Sequence, residues 1–185
     1  MAFKLRSNRQ VVQQCATLRG EVSAALQSSD VDAVWRGEAL GTLLWALGLA
    51  ELPAYDHAFA PQTVAAVDPA AGRLRATSEI ELELDAARLW HWRARTTLLQ
   101  AIGGVELPER YSTFEQLVGA TAMRGYEQGL LPSPLRGDFR AFGKAYRQLS
   151  EAEYAEALSI AYERHYALNW LCGAGKSWDD VTVDT

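Results

Sequence analysis

Glu163, His165, Asn169 and Cys172 fall in one short stretch, and Asp179, Asp180 and Asp184 follow close behind. An imidazole, an amide and a thiol are the parts of a thiol-protease trio. The carboxylates could serve as acid, base or metal ligand if burial separates their pKa values. The spacing argues against the trio. His165 and Cys172 are seven residues apart, about 10 Å along a helix axis, whereas a nucleophile and its base must approach to about 3 Å. Tyr154, Leu158, Ala161, His165, Leu168 and Cys172 instead step by four and three, which predicts a core-facing stripe and a buried histidine satisfied by one partner. Glu163 lies two positions from His165 and points to a different face, so the two cannot share an ion. His57 and His91 have no ligand spacing, and the acidic tail lacks the alternating oxygens and central glycine of a calcium loop. No metal and no cofactor is expected.

Gly175-Lys176-Ser177 ends like a phosphate-cradling loop. That loop needs a glycine five residues before its last one, after a buried strand and opening a helix. Trp170 occupies that position, and a helical pattern precedes it, so a glycine-rich helix terminator is expected instead. The chain carries no zinc-binding His-Glu-x-x-His, no nucleophile elbow and no dinucleotide fingerprint. Arg136, Arg140, Lys144 and Arg147 could hold an anion, but in an acidic chain they read as a solvated face.

Five capping-box patterns mark the elements that would position these residues: Ser7…Gln10, Ser78…Glu81, Ser112…Glu115, Ser150…Glu153 and a weaker Ser29…Asp32. Behind Ser7, the residues Val11, Cys15, Leu18, Val22, Ala25 and Leu26 follow a helical period. Residues 33–50 are apolar nearly all round, predicting a helix buried on most sides and stopped by Pro53. Ile80, Leu82 and Leu84 alternate with acids as a strand would. The acids crowd the start, however, and Arg88, Arg93 and Arg95 come later, as a helix dipole favours, so helix is predicted from Ser78 to Gln100, ending at Gly103-Gly104. Further helices are expected at Ser112–Gln128 and at Glu151–Leu171, the last capped by Gly173. Residues 54–76 read as a loop with one helical turn. Residues 129–149 read as an irregular or short extended segment, and Val181 and Val183 as an extended C-terminal tail. The expected fold is all-α: a single-domain bundle of about five main helices spanning residues 1–185.

Composition bounds the function. Hydrophobic residues are 49% and charged residues 22%, as in ordinary globular proteins. A formal charge of -5 argues against nucleic acid or an anionic membrane as partner. The longest apolar run, residues 39–50, is too short to cross a bilayer. Cys15 and Cys172 read as two reduced thiols, and no secretory h-region follows the N-terminus, so a soluble cytoplasmic protein is expected.

Two blocks stand out together: Trp35-Arg-Gly-Glu-Ala-Leu-Gly-Thr-Leu-Leu-Trp-Ala-Leu-Gly-Leu-Ala-Glu-Leu-Pro53, and Ser159-Ile-Ala-Tyr-Glu-Arg-His-Tyr-Ala-Leu-Asn-Trp-Leu-Cys172 with Trp178-Asp-Asp-Val-Thr-Val-Asp-Thr185. With Leu74 to Trp92, they resemble the bacterial domain-of-unknown-function family 4272, over about 150 residues. The resemblance implies a mostly helical soluble domain, and no activity, substrate or catalytic residue. The N-terminal region departs from the family, since only the helix after Ser7 precedes the first block.

The charges of the two blocks admit a physical reading. Trp35, Arg36, Glu38, Arg164, Asn169, Trp170, Trp178 and Asp184 are expected to form a structural motif in which the blocks meet, with Arg36 or Arg164 paired to a tail carboxylate. The preferred function is a non-enzymatic module that binds another protein, such as an immunity or accessory protein for a toxin or secretion system. The first alternative is a hydrolase-like or metal-dependent enzyme between the blocks, using Glu163, His165, Asp179 or Asp180. The second is a homodimeric structural protein joined through Tyr166 and Trp170.

Overall fold

Helices dominate the chain because its apolar residues recur at the helical period and its helix starts carry side-chain caps. In a computed structural model, which describes residues 4–28, 30–103 and 107–183, α1 runs Asn8–Ser28. The Ser7 amide donates to Gln10 Oε1 at 2.9 Å and the Gln10 amide donates back to Ser7 Oγ at 3.4 Å, which is the reciprocal box expected. Val11, Cys15, Leu18, Val22 and Ala25 form its buried stripe.

Helix α2 is the single turn Val31–Val34, capped by Asp30, whose Oδ1 accepts from the Ala33 amide at 3.1 Å. The Ser29…Asp32 start therefore gives way to Asp30, and Ser29 itself lies outside the described residues. Helix α3, Arg36–Ala46, is buried at every position from Gly37 to Ala46. It ends before residue 50 and without help from Pro53. Gly48 takes φ +71, and the Leu49 amide turns back to the Leu44 carbonyl at 2.9 Å. This left-handed glycine stop satisfies the last carbonyls. Gly41 lets Phe59 lie directly on α3, for a Cβ there would fall 2.3 Å from the ring.

A single turn, α4 (Pro61–Ala65), and a 3-10 turn (Pro69–Ala71) lead to α5, Thr77–Ile102. Ile80 and Leu84 are buried while Leu82 is 52% exposed, so helical spacing overrides the apparent alternation. Ser78 is not its cap. The helix starts at Thr77 after Ala76, with no side-chain cap, and Glu79 in the first turn complements the dipole. Gly103 ends it; Gly104, the other half of the expected stop, lies outside the described residues. Helix α6, Phe114–Glu127, is capped one residue later than expected. Thr113 accepts from the Gln116 amide, and Gln116 Oε1 accepts from the Ser112 amide. The text Ser-Thr-Phe-Glu-Gln holds both frames, and the Thr–Gln frame wins.

Residues 135–148 form two tight turns and a small hairpin, β1 (Arg140–Ala141) against β2 (Lys144–Ala145). Arg136-Gly137 and Phe142-Gly143 all have positive φ, the mirror-image turns that short hairpins favour. Helix α7, Glu151–Leu171, carries the full Ser150–Glu153 box and ends at Gly173 with φ +90. It packs on α5 and α3, and α1 lies on α3. One apolar cluster joins all of these, with the free thiols of Cys15 and Cys172 inside it. Burial raises those thiols to about 12 and about 11. Among the described residues no helix is long and apolar enough to cross a membrane. Among the described residues the architecture is all-helical apart from this hairpin.

Candidate functional site

The block after Trp35 and the block after Ser159 meet at a buried ion pair. Arg164, on α7, donates from Nε to Glu38 Oε1 of α3 at 2.6 Å, and both side chains are at most 1% exposed. The same guanidinium donates to the carbonyls of Pro53 and His57 at 2.6 and 3.0 Å. Glu38 Oε2 accepts from the Phe59 amide at 2.8 Å. The pair thus holds both ends of the 53–59 loop, and Tyr55 lies 4.6 Å under the guanidinium. Burial raises the Glu38 carboxyl, against Arg164 and the Phe59 amide, which pull it down.

This corrects the expected pairing. Arg164 binds Glu38 rather than a tail carboxylate, because α7 lies directly on α3 and the tail passes along another side. Arg36 pairs with Glu21 of α1. Asp179 reaches Arg36 only through its field, and Asp180 caps the next turn by accepting from the Ser177 amide and hydroxyl. That contact makes Gly175-Lys176-Ser177 part of an exposed turn after α7. Asp184 lies outside the described residues. Asn169 Nδ2 donates to the Thr182 carbonyl at 3.2 Å and the Tyr166 hydroxyl to the Trp178 carbonyl at 2.5 Å, which lays the tail on the body. Trp170 is buried between Trp178 and the Arg6 guanidinium, so it is not the exposed contact a homodimer would use.

Glu163 and Asp179 do come together. Two adjoining hollows share Tyr162 and Glu163 as a common wall. One, of about 350 Å³, is completed by Trp35, Leu158 and Ser159. The other, of about 180 Å³, is completed by Arg36, Tyr166, Trp178 and Asp179. The result is a groove along α7, bordered by the start of α3 and by the tail. Its wall is aromatic: Tyr162 and Tyr166 lie 6.1 Å apart, and Tyr166 and Trp178 5.1 Å apart. Burial pushes the Glu163 carboxyl up to about 7, only partly offset by Arg36.

His165 lies away from this groove. Its Nδ1 is 2.9 Å from Nδ1 of His91, and both rings are at most 3% exposed. The expected single partner is therefore another histidine, which sequence spacing did not reveal. One Nδ1 must carry a proton and the other accept it, so the two rings hold different tautomers. Burial lowers both, His91 to about 4 and His165 to about 3. Both values lie below the ordinary 6.5, so the unfolded chain takes up protons first as pH falls. The contribution of the pair is complete above about pH 6.5 and is lost progressively towards pH 3–4. We expect the ring signals of both histidines to keep the neutral-imidazole shift down to pH 5 in proton–carbon NMR. A midpoint near 6.5 for either ring would refute this account.

A second buried ion pair was not anticipated. Arg93 donates to Asp138 from Nε and Nη2 at 2.7 and 3.0 Å, and Asp138 also accepts from the Phe139 and Arg147 amides. The available signal was that Ala86, Trp90, Arg93 and Thr97 step by four, three and four. An arginine in such a stripe needs a buried counter-charge. Among the described residues no group of three His, Cys, Asp or Glu side chains is placed to hold a metal ion.

Among the described residues, fold and site define a helical protein with one small hairpin, two buried ion pairs and an aromatic groove beside one of them. Compared with known proteins, the chain matches no family model, no curated protein and no solved structure.

Proposed function

We propose that this chain is a non-catalytic protein-binding module whose docking face is the groove along α7, and that it takes a basic segment of its partner. The observation that carries the reading is the collection of Trp35, Tyr162, Tyr166 and Trp178 around Glu163. Tryptophan and tyrosine are the residues that most often dominate binding energy at protein interfaces. A carboxyl that burial holds near neutrality gains most from a cation brought in by another molecule. Arg36 is engaged by Glu21, so the cation must come from outside. The formal charge of -5 favours the approach of a basic surface.

The resemblance to family 4272 belongs to the same proposal, and the blocks that carry it supply every groove residue except Leu158. A cytoplasmic location is supported by the two unpaired buried cysteines. An accessory or immunity role beside a basic effector is the narrower form of the reading.

A photo-crosslinking residue at Tyr162, expressed in the native host, should capture one partner stoichiometrically, whereas the same residue at Gln13 on α1 should not. Tyr162→Ala and Glu163→Gln should each weaken that complex about tenfold or more while leaving thermal unfolding unchanged. Binding a cation lowers the Glu163 pKa, so the complex holds fewer protons than its parts. Affinity should then rise between about pH 6 and 8, and Glu163→Gln should flatten that dependence. An adduct of twice the chain's mass would replace the proposal with a homodimer. No adduct at Tyr162, or equal capture at Gln13, would overturn it.

A further inference from the structure

A larger cleft, of about 490 Å³, opens beside the 53–59 loop and is separate from the groove. Glu83, Ala86 and Trp90 of α5 line one side at helical spacing. Residues 52–56 supply a second wall; Leu130 and Pro132 after α6, with Arg140 and Gly143 of the hairpin, close the rest. The volume is that of a small-molecule site, and most of the lining is apolar, as such sites are. Tyr55 stacks on Trp90 with centroids 5.3 Å apart and planes within 9°. Arg164 lies against the same Tyr55 ring, so the aromatic floor is fixed before any ligand arrives.

The charged lining residues are not equally available. Asp56 is spent: Oδ1 meets His57 Nδ1 at 2.7 Å and Oδ2 accepts from the Phe142 amide at 2.7 Å, bracing the loop to the hairpin. Glu83 accepts one hydrogen bond, from the Tyr55 hydroxyl to Oε1 at 2.8 Å, and Oε2 has no partner among the described residues. Arg140 is exposed at the rim and makes no ion pair among the described residues. One carboxylate and one guanidinium thus line the same cleft without pairing to each other, and apolar surface lies around them.

We propose that this cleft binds a small zwitterion with an apolar side chain, of the hydrophobic amino acid class. Its ammonium group meets Glu83 Oε2, its carboxylate meets Arg140, and its side chain covers Trp90, Ala86, Leu130 and Pro132. An unpaired carboxylate and guanidinium lining one largely apolar cleft complement such a molecule. A purely cationic or purely anionic ligand would leave one of the two unanswered.

The probe is L-phenylalanine, titrated against the full chain by calorimetry and by tryptophan fluorescence, with phenethylamine and 3-phenylpropionate as its two half-molecules. One saturable site per chain is expected, with each half-molecule bound at least about tenfold more weakly. Glu83→Gln should weaken L-phenylalanine about tenfold and leave 3-phenylpropionate unchanged. Arg140→Gln should weaken it similarly and leave phenethylamine unchanged. Arg140 is on the surface, so its variant keeps the test valid if Glu83→Gln fails to fold. Tyr162→Ala should bind L-phenylalanine normally, so loss of the groove's partner and loss of this ligand are separate results. Absence of saturation up to about 10 mM, a half-molecule that binds as tightly as L-phenylalanine, or wild-type affinity in both charge variants would overturn the proposal.

Discussion

Replacing Arg164 by Met should cost about 3–5 kcal/mol of unfolding free energy, the usual result of leaving one charge of a buried pair uncompensated. Glu38 would remain in the core with only the Phe59 amide to answer it, and the carbonyls of Pro53 and His57 would lose their donor. The loss therefore extends beyond one ion pair to the attachment of the 53–59 loop. Urea unfolding of wild type, Arg164→Met, Glu38→Gln and the double variant measures it. The double variant should fall short of the summed single losses by about 1 kcal/mol or more, since the residues act as one unit. A single variant within about 1 kcal/mol of wild type would show that the pair contributes little.

Asp138→Asn should cost a comparable amount, about 3–5 kcal/mol, for a different reason. The substitution keeps the shape but removes the charge that faces Arg93, which is 2% exposed. It also points an amide donor at a site where four donors already converge: two from Arg93 and the amides of Phe139 and Arg147. Asp138 joins the hairpin segment to α5, so the damage should be local as well as global. Hydrogen exchange at residues 139–147 should accelerate well beyond that of α1. Uniform acceleration across both would argue that the hairpin is held by other contacts.

The helices were legible because their information is local. Ser7 with Gln10 and Ser150 with Glu153 each specify a start within four residues, and both operate as read. Starts failed where two frames overlapped, as at Ser112 and Thr113, or where a serine lay one residue inside an uncapped helix, as at Ser78. The early end of α3 was written at Gly48. Reading Pro53 instead weighted the stronger breaker over the nearer one.

The candidate site was legible only in part, because it depends on which residues distant in sequence face each other. Glu163 and Asp179 share the groove. His165, two residues from Glu163, is turned into the core, as the helical period required. That its partner is His91, that Arg164 finds Glu38, and that Arg93 finds Asp138 follow from the packing of α7 on α3 and α5 and of the hairpin on α5. Each is a pairing across 45 or more positions, which no local pattern encodes.

The two enclosed thiols give the molecule an internal clock. Cys15 lies in the first half of α1, and Cys172 lies where α7 stops. Neither sulfur can be alkylated while shut away and protonated. Iodoacetamide labelling therefore times how often each place breathes, and a slower rate at the first than at the second would mean that the fold loosens from its tail inward.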